Sequence, residues 1–170
     1  MKSLSVAEKH RFEKYVIYQG YYSLLGRDYE LELKPLLRDQ GLSLMVWSPL
    51  AGGLLSGKYG RHTAPEDGRR INFDFPPVDK EKAFDIIEIM REIATSKEIT
   101  IPQVALSWLL HQPSVTSVII GAKRNDQLED NLKAVASKLS ADELARLDEV
   151  SKPASIYPGW MIARQGADRK

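Results

Sequence analysis

The sequence predicts an α/β fold built on three parallel strands with flanking helices. Three short runs carry that expectation: residues 15–19 (YVIYQ), 43–48 (SLMVWS) and 116–121 (TSVIIG), all rich in apolar and β-favouring residues. A helical pattern separates the first two, so residues 15–48 read as strand, helix, strand, and that crossover requires parallel pairing. Pro49 cannot donate to a sheet ladder, which ends the middle strand and opens a loop.

Length and composition set the bounds. The 170 residues, 43% of them hydrophobic, suffice for one ordinary globular domain over 1–170, and 28% charged residues argue against a membrane protein. A net charge of +1 leaves no electrostatic footprint for nucleic acid. There is no cysteine, and the three histidines stand far apart, so neither thiolate chemistry nor a dedicated metal site is expected. Without a long apolar run or a signal-peptide core, the expected location is the cytoplasm.

In order along the chain, residues 1–14 show helical spacing with no convincing cap ahead, as in a helix whose beginning is missing. Residues 15–19 form the first strand, and Gly20 opens a loop. Residues 29–40 place Leu31, Leu33, Leu36 and Leu37 on one helical face, with Gly41 where a C-cap falls. Pro35 either begins a second turn or kinks that helix. After the middle strand, residues 60–78 are a polar surface excursion holding three prolines, able to fold over a ligand.

Residues 79–97 are spaced for a long amphipathic helix with Asp79 as N-cap, and Pro102 starts the next, running to about His111. The third strand follows. Residues 125–135 form the helix behind it, and Ser140 with Glu143 makes a capping box for a last helix to about Val150. The arm at 151–170 has no periodicity and reads as a loop or an arm packed onto something.

The organising stretch is SLMVWSPLAGGLLSGKY at 43–59. Gly52, Gly53 and Gly57 permit close backbone approach or positive φ, while Ser48, Ser56, Lys58 and free amides offer donors for phosphate oxygens. Its glycines and Lys58 also fit the spacing of a P-loop, although Tyr59 stands where a Mg²⁺-binding hydroxyl belongs. Three parallel strands alone leave two bare edges and a poorly covered face, so something is expected to be absent, as in a chain that begins in the middle of an α/β unit.

YQGYYSLLGRDYELELKPLLRDQGLSLMVWSPLAGGLLSGKY, IPQVALSWLL, SVIIGAKRNDQLEDNL and YPGWMIARQGADR together resemble the closing portion of an aldo-keto reductase. The resemblance covers nearly the whole chain and implies a partial (β/α)8 TIM barrel: strands six, seven and eight, the two helices before strand eight, and the C-terminal arm. A whole barrel takes about 250 residues. It further implies reduction of aldehydes or ketones with NADPH.

Gln19 matches the glutamine that hydrogen-bonds the nicotinamide carboxamide, and Trp47 the aromatic that stacks on that ring. Ser48, Pro49, Leu50, Gly52 and Lys58 match the diphosphate-gripping loop, and Arg69 a cation over the cofactor. Gly121, Lys123, Gln127, Asp130 and Asn131 match the adenosine end, with Lys123 or Arg124 placed to meet the 2′-phosphate. Tyr22, Tyr157 and Trp160 are candidates for a substrate pocket. Each has a plainer reading: strand-end hydrogen bond, core aromatic, solvated cation, helix cap.

The resemblance also implies a tyrosine proton donor supported by aspartate, lysine and histidine, and no such motif stands between Met1 and Lys170. The chain is therefore expected to be inactive alone, with a small-molecule carbonyl substrate only in the company of the missing units. The alternative is a non-enzymatic half-barrel that assembles with itself, as a homo-oligomer through its sheet edges, or with an N-terminal partner.

Overall fold

The computed structural model describes residues 1–63, 65, 70 and 73–167. Helix α1 (Lys2–His10) leads into β1 (Ile17–Tyr21), α2 (Tyr29–Asp39) and β2 (Ser43–Trp47). A 3-10 segment (Ala51–Ser56) follows, then α3 (Lys80–Lys97), α4 (Ile101–Leu110) and β3 (Val115–Val118). Helix α5 (Asn125–Leu132) passes into a 3-10 turn (Lys133–Val135), and α6 (Ala141–Ser151) and α7 (Gly159–Ala167) complete the chain.

The strands lie in the order β1-β2-β3, all parallel, as the crossover reading requires. Leu44 and Val46 of β2 are fully enclosed, and with Val115 and Val118 they face a core built from Ile86, Ile87, Met90 and Ile93 of α3 and Val104, Trp108 and Leu109 of α4. Alternation along the strands puts Ile17, Gln19, Tyr21, Met45, Trp47 and Ser117 on the opposite face. One face of the sheet is thus packed by helices, while among the described residues the other carries no helical layer and is partly open. This is part of a (β/α)8 barrel, with the open face corresponding to the barrel interior.

Caps explain the helix starts. The Asp79 carboxylate accepts from the Lys82 amide at 3.1 Å, and Ser140 and Glu143 exchange bonds of 2.6 and 3.3 Å, as the sequence predicts. A second capping box, Thr100 with Gln103, starts α4 one residue before Pro102. Pro35 lies inside a single continuous α2, so it begins no new helix.

Four boundaries depart from the sequence reading. Helix α1 stops at His10 rather than residue 14, because Arg11 turns left-handed (φ 55°) and Phe12 N–H bonds back to the Ala7 carbonyl. Strand β1 is displaced to Ile17–Tyr21: its ladder begins opposite Ser43, where β2 begins, which leaves Tyr15 and Val16 outside it. Gly20 lies within the strand, paired with Val46 rather than opening a loop, and a Cβ there would stand 2.5 Å from the Tyr18 ring.

Strand β3 ends at Val118, one residue before the Ile119 amide makes its bond to the Val46 carbonyl at 2.8 Å. Finally, the arm, which shows no helical period in sequence, contains a helix at Gly159–Ala167. Pro158 sets its first turn, its carbonyl accepting from the Met161 and Ile162 amides at 3.0 and 2.9 Å.

Candidate cofactor site at the strand ends

Gln19 and Trp47 share the open face: Gln19 pairs with Met45, and Trp47 lies two residues further along β2. Gln19 is exposed and Trp47 half-buried, with Tyr21 beside it at 5.0 Å between ring centroids. Tyr21 was not singled out by sequence, although the strand period of two from Gln19 puts it on this same face.

Beyond β2 the backbone reverses through a run of left-handed residues: Ser48 (φ 51°), Ala51 (φ 50°), Gly52 (φ 67°) and Gly53 (φ 95°). The Ser48 hydroxyl accepts from the Gly52 amide at 3.0 Å, and the Ser48 carbonyl from the Ala51 amide at 2.9 Å. Pro49, Ala51, Leu54 and Leu55 are buried and pin the segment to the core, while Leu50 and Gly52 are half-exposed. Gly57 (φ 80°) ends the segment, and Lys58 projects into solvent with no partner among the described residues. Turn and loop, not helix, follow Lys58, so the helix that a P-loop needs is absent there.

Arg70 holds this turn from behind. Its buried guanidinium donates to the Ala51 carbonyl at 2.7 Å and the Pro76 carbonyl at 2.8 Å, and pairs with Asp74 at 2.5 Å. Sequence reasoning passed over it, because nothing in the sequence around Arg70 marks it as a residue that turns inward. The expectation for Arg69 lies outside the described residues.

After β3, Gly121, Lys123 and Arg124 are all exposed. Gln127 turns back to accept from the Lys123 amide at 3.0 Å, and Arg124 pairs with Asp126 at 2.8 Å, which holds the Asp126 carboxyl below its usual range. The next two expected residues are engaged with the fold. Asp130 accepts from the Thr100 hydroxyl at 2.7 Å and from the Gln103 amide nitrogen at 2.8 Å, bracing the start of α4, and Asn131 is buried. A groove of about 770 Å³ opens there among Lys97, Thr100, Asp130, Lys133 and Lys138, on the helical layer.

Of the expected pocket residues, Tyr22 is 0% exposed. Its ring packs between Tyr29 and Trp108, and its hydroxyl donates to Glu30 at 2.7 Å, so it faces the core and not a cavity. The cause is strand alternation: Tyr22 follows Tyr21 and points to the opposite side of the sheet. Tyr157 and Trp160 contact each other at 6.2 Å and are exposed on the arm, which passes α2 where a Cβ on Gly159 would lie 3.8 Å from Leu31.

The histidines stand apart from these strand ends. His10 stacks on Phe12, His62 is exposed in a turn, and His111 closes α4 with its Nδ1 2.8 Å from the Ser107 carbonyl. No cluster of metal-binding side chains occurs among the described residues. No helix among them is long and apolar enough to cross a membrane.

Three parallel strands with a glycine-rich turn at the carboxyl end of the middle one define the class: a partial (β/α)8 barrel with its candidate site where such barrels carry theirs. The sequence model of the aldo/keto reductase family matches residues 1–152, and the chain belongs to that family. It is 39% identical over 164 residues to the uncharacterized oxidoreductase YrpG of Bacillus subtilis, covering 94% of this chain and 45% of that protein. Versiconal hemiacetal acetate reductase of Aspergillus parasiticus is 30% identical, covering 91% and 46%. The NADH-specific methylglyoxal reductase of Escherichia coli is 34% identical, covering 80% and 42%. The chain therefore spans less than half the length of these relatives.

Proposed function

We propose that this chain is the cofactor-gripping part of an NADPH-dependent reductase of aldehydes or ketones. The observation that carries the reading is the placement of Gln19 and Trp47 on one open sheet face, directly before the left-handed turn at residues 48–53. When bound, the cofactor supplies the hydride and the chain supplies its seat. Trp47 offers a flat face and Gln19 a carboxamide that both donates and accepts. The turn offers backbone amides, and Lys58 and Lys123 are exposed cations whose side chains make no pair among the described residues, which fits a ligand bearing phosphates at two points.

A proton donor for the alkoxide is the part these residues do not supply. Tyr21 is in ring contact with Trp47, and burial pushes its hydroxyl above the usual phenol range, the opposite of the tuning a general acid near neutral pH needs. The chain by itself is accordingly proposed to bind without turnover, acting on a small carbonyl substrate only with further barrel units. A relative that is NADH-specific makes the cofactor preference a point for measurement.

Titration of the purified chain with NADPH, NADH and ATP by fluorescence tests the reading. Saturable binding of NADPH, tighter than NADH and with no response to ATP, is expected. Equal binding of the two nicotinamides removes the assignment to NADPH, and binding of neither removes the function.

A second reading rests on the sheet edges. Among the described residues, strands β1 and β3 both lack an outer neighbour, and Tyr15, Val16, Tyr18 and Ile119 are exposed beside them. A chain that assembles through these edges, with itself or with an N-terminal half-barrel, elutes in size exclusion above the mass of 19.2 kDa.

A further inference from the structure

The ring of Phe75 lies parallel to that of Trp47, with 2° between planes and 6.0 Å between centroids. Phe73 leans on Phe75 at 5.4 Å, so an aromatic row runs from Tyr21 through Trp47 and Phe75 to Phe73. Phe75 is 40% exposed and Phe73 55%. Their backbone is nonetheless tied to the turn beyond β2. Arg70 bridges the carbonyls of Ala51 and Pro76, Asp74 pairs with both Arg70 and Lys80, and a Cβ on Gly52 would stand 2.2 Å from the Phe75 carbonyl oxygen.

From this geometry we infer that residues 73–76 form an internal clasp: Phe75 occupies the face of Trp47 as a built-in ligand, and a flat heteroaromatic ring binds there only by exchanging with it. The inference rests on Trp47 as the stacking residue of the proposed function and adds how access to it is controlled. Two aromatic rings in offset contact are favoured over solvent exposure of either, so the clasped state opposes entry of a ring by that margin. In the proposed function the adenosine end of the dinucleotide would meet the residues after β3, away from the Phe75 ring. Removing the Phe75 ring therefore helps only ligands that carry the second ring.

The test compares wild type and Phe75→Leu, which keeps apolar cover over the strand ends but has no flat face. Calorimetric titration with NADPH and with 2′,5′-ADP, which lacks the nicotinamide, separates the two ends. Phe75→Leu is expected to tighten NADPH about three- to tenfold and leave 2′,5′-ADP unchanged. NADPH binding that is unchanged or weaker overturns the clasp and shows Phe75 to be a bystander or a cap. If neither ligand binds either protein, the cofactor reading fails. The clasp is then decided by fluorine NMR of 5-fluorotryptophan-labelled chain: the Trp47 resonance, assigned by its loss in Trp47→Phe, shifts in Phe75→Leu when the rings stack and stays in place when they do not.

Discussion

Arg27 grips Glu30 with both arms of its guanidinium, at 2.7 and 3.1 Å, and reaches across the fold to α6. There it donates to the Asp148 carboxylate at 3.0 Å and to the Ser151 hydroxyl at 2.7 Å. The same guanidinium lies over the Trp108 ring at 5.2 Å, whose Nε1 donates to Asp148 at 3.1 Å. One cation thus joins the loop after β1, the start of α2, α4 and the end of α6. The fork geometry is what allows it, because a lysine ammonium cannot satisfy two carboxylates in planar register.

Truncating this cation should therefore cost more than an exposed pair would. Arg27→Ala strands Glu30, whose side chain is largely buried, and is expected to destabilise the chain by about 3–5 kcal/mol. Arg27→Lys should recover only part of that. Urea unfolding of both variants checks the order, and a loss below about 1 kcal/mol for the alanine variant would show the network to be solvated.

Acid sensitivity follows from the partner. Burial alone raises the Glu30 carboxyl, but the hydrogen bonds from Arg27 and Tyr22 outweigh it and hold it below 4.5. A carboxyl depressed in the folded state contributes stability that is whole above the ordinary value and is lost as pH falls through the folded one. Glu143, with Ser140 and Lys97 outweighing its burial, acts in the same direction. Urea midpoints should stay level above about pH 5 and fall below 4.5, and Glu30→Gln should flatten that slope. An equal slope in the variant would remove Glu30 from the account.

Neighbouring glycines should respond differently to the same substitution. At Gly52 an added methyl meets the Phe75 carbonyl at 2.2 Å on a backbone already left-handed, whereas at Gly53, also left-handed, nothing lies within 4 Å. Gly53→Ala is expected to cost about 1–2 kcal/mol of backbone strain alone. Gly52→Ala must also displace the strand-end turn, so its thermal midpoint should fall further and nucleotide binding should weaken with it. Equal midpoints for the two variants would mean that the turn and residues 73–76 are not in contact.

Lys58 and Lys123, exposed and without a side-chain partner among the described residues, should divide the ligand between them. Lys58→Ala is expected to weaken NADPH and NADH alike, by about tenfold, because both carry the diphosphate. Lys123→Ala should weaken NADPH by a similar factor and spare NADH. Calorimetry with both nucleotides checks the split, and parallel losses in the two variants would place the 2′-phosphate elsewhere.

Local pattern was enough to name the strands, the parallel pairing, the caps at Asp79 and Ser140, and the residues whose order marks the family. These are consequences of neighbours in sequence: alternation, a missing proline donor, a side chain reaching three residues on. Sheet register, by contrast, is set between strands, and it moved β1 by two residues and placed Tyr21 beside Trp47. The roles of Arg70, Phe75 and Asp130 also came only from the fold. Each acts on a partner 19 to 30 residues away, through contacts that exist once the helices have packed and that no spacing along the chain records.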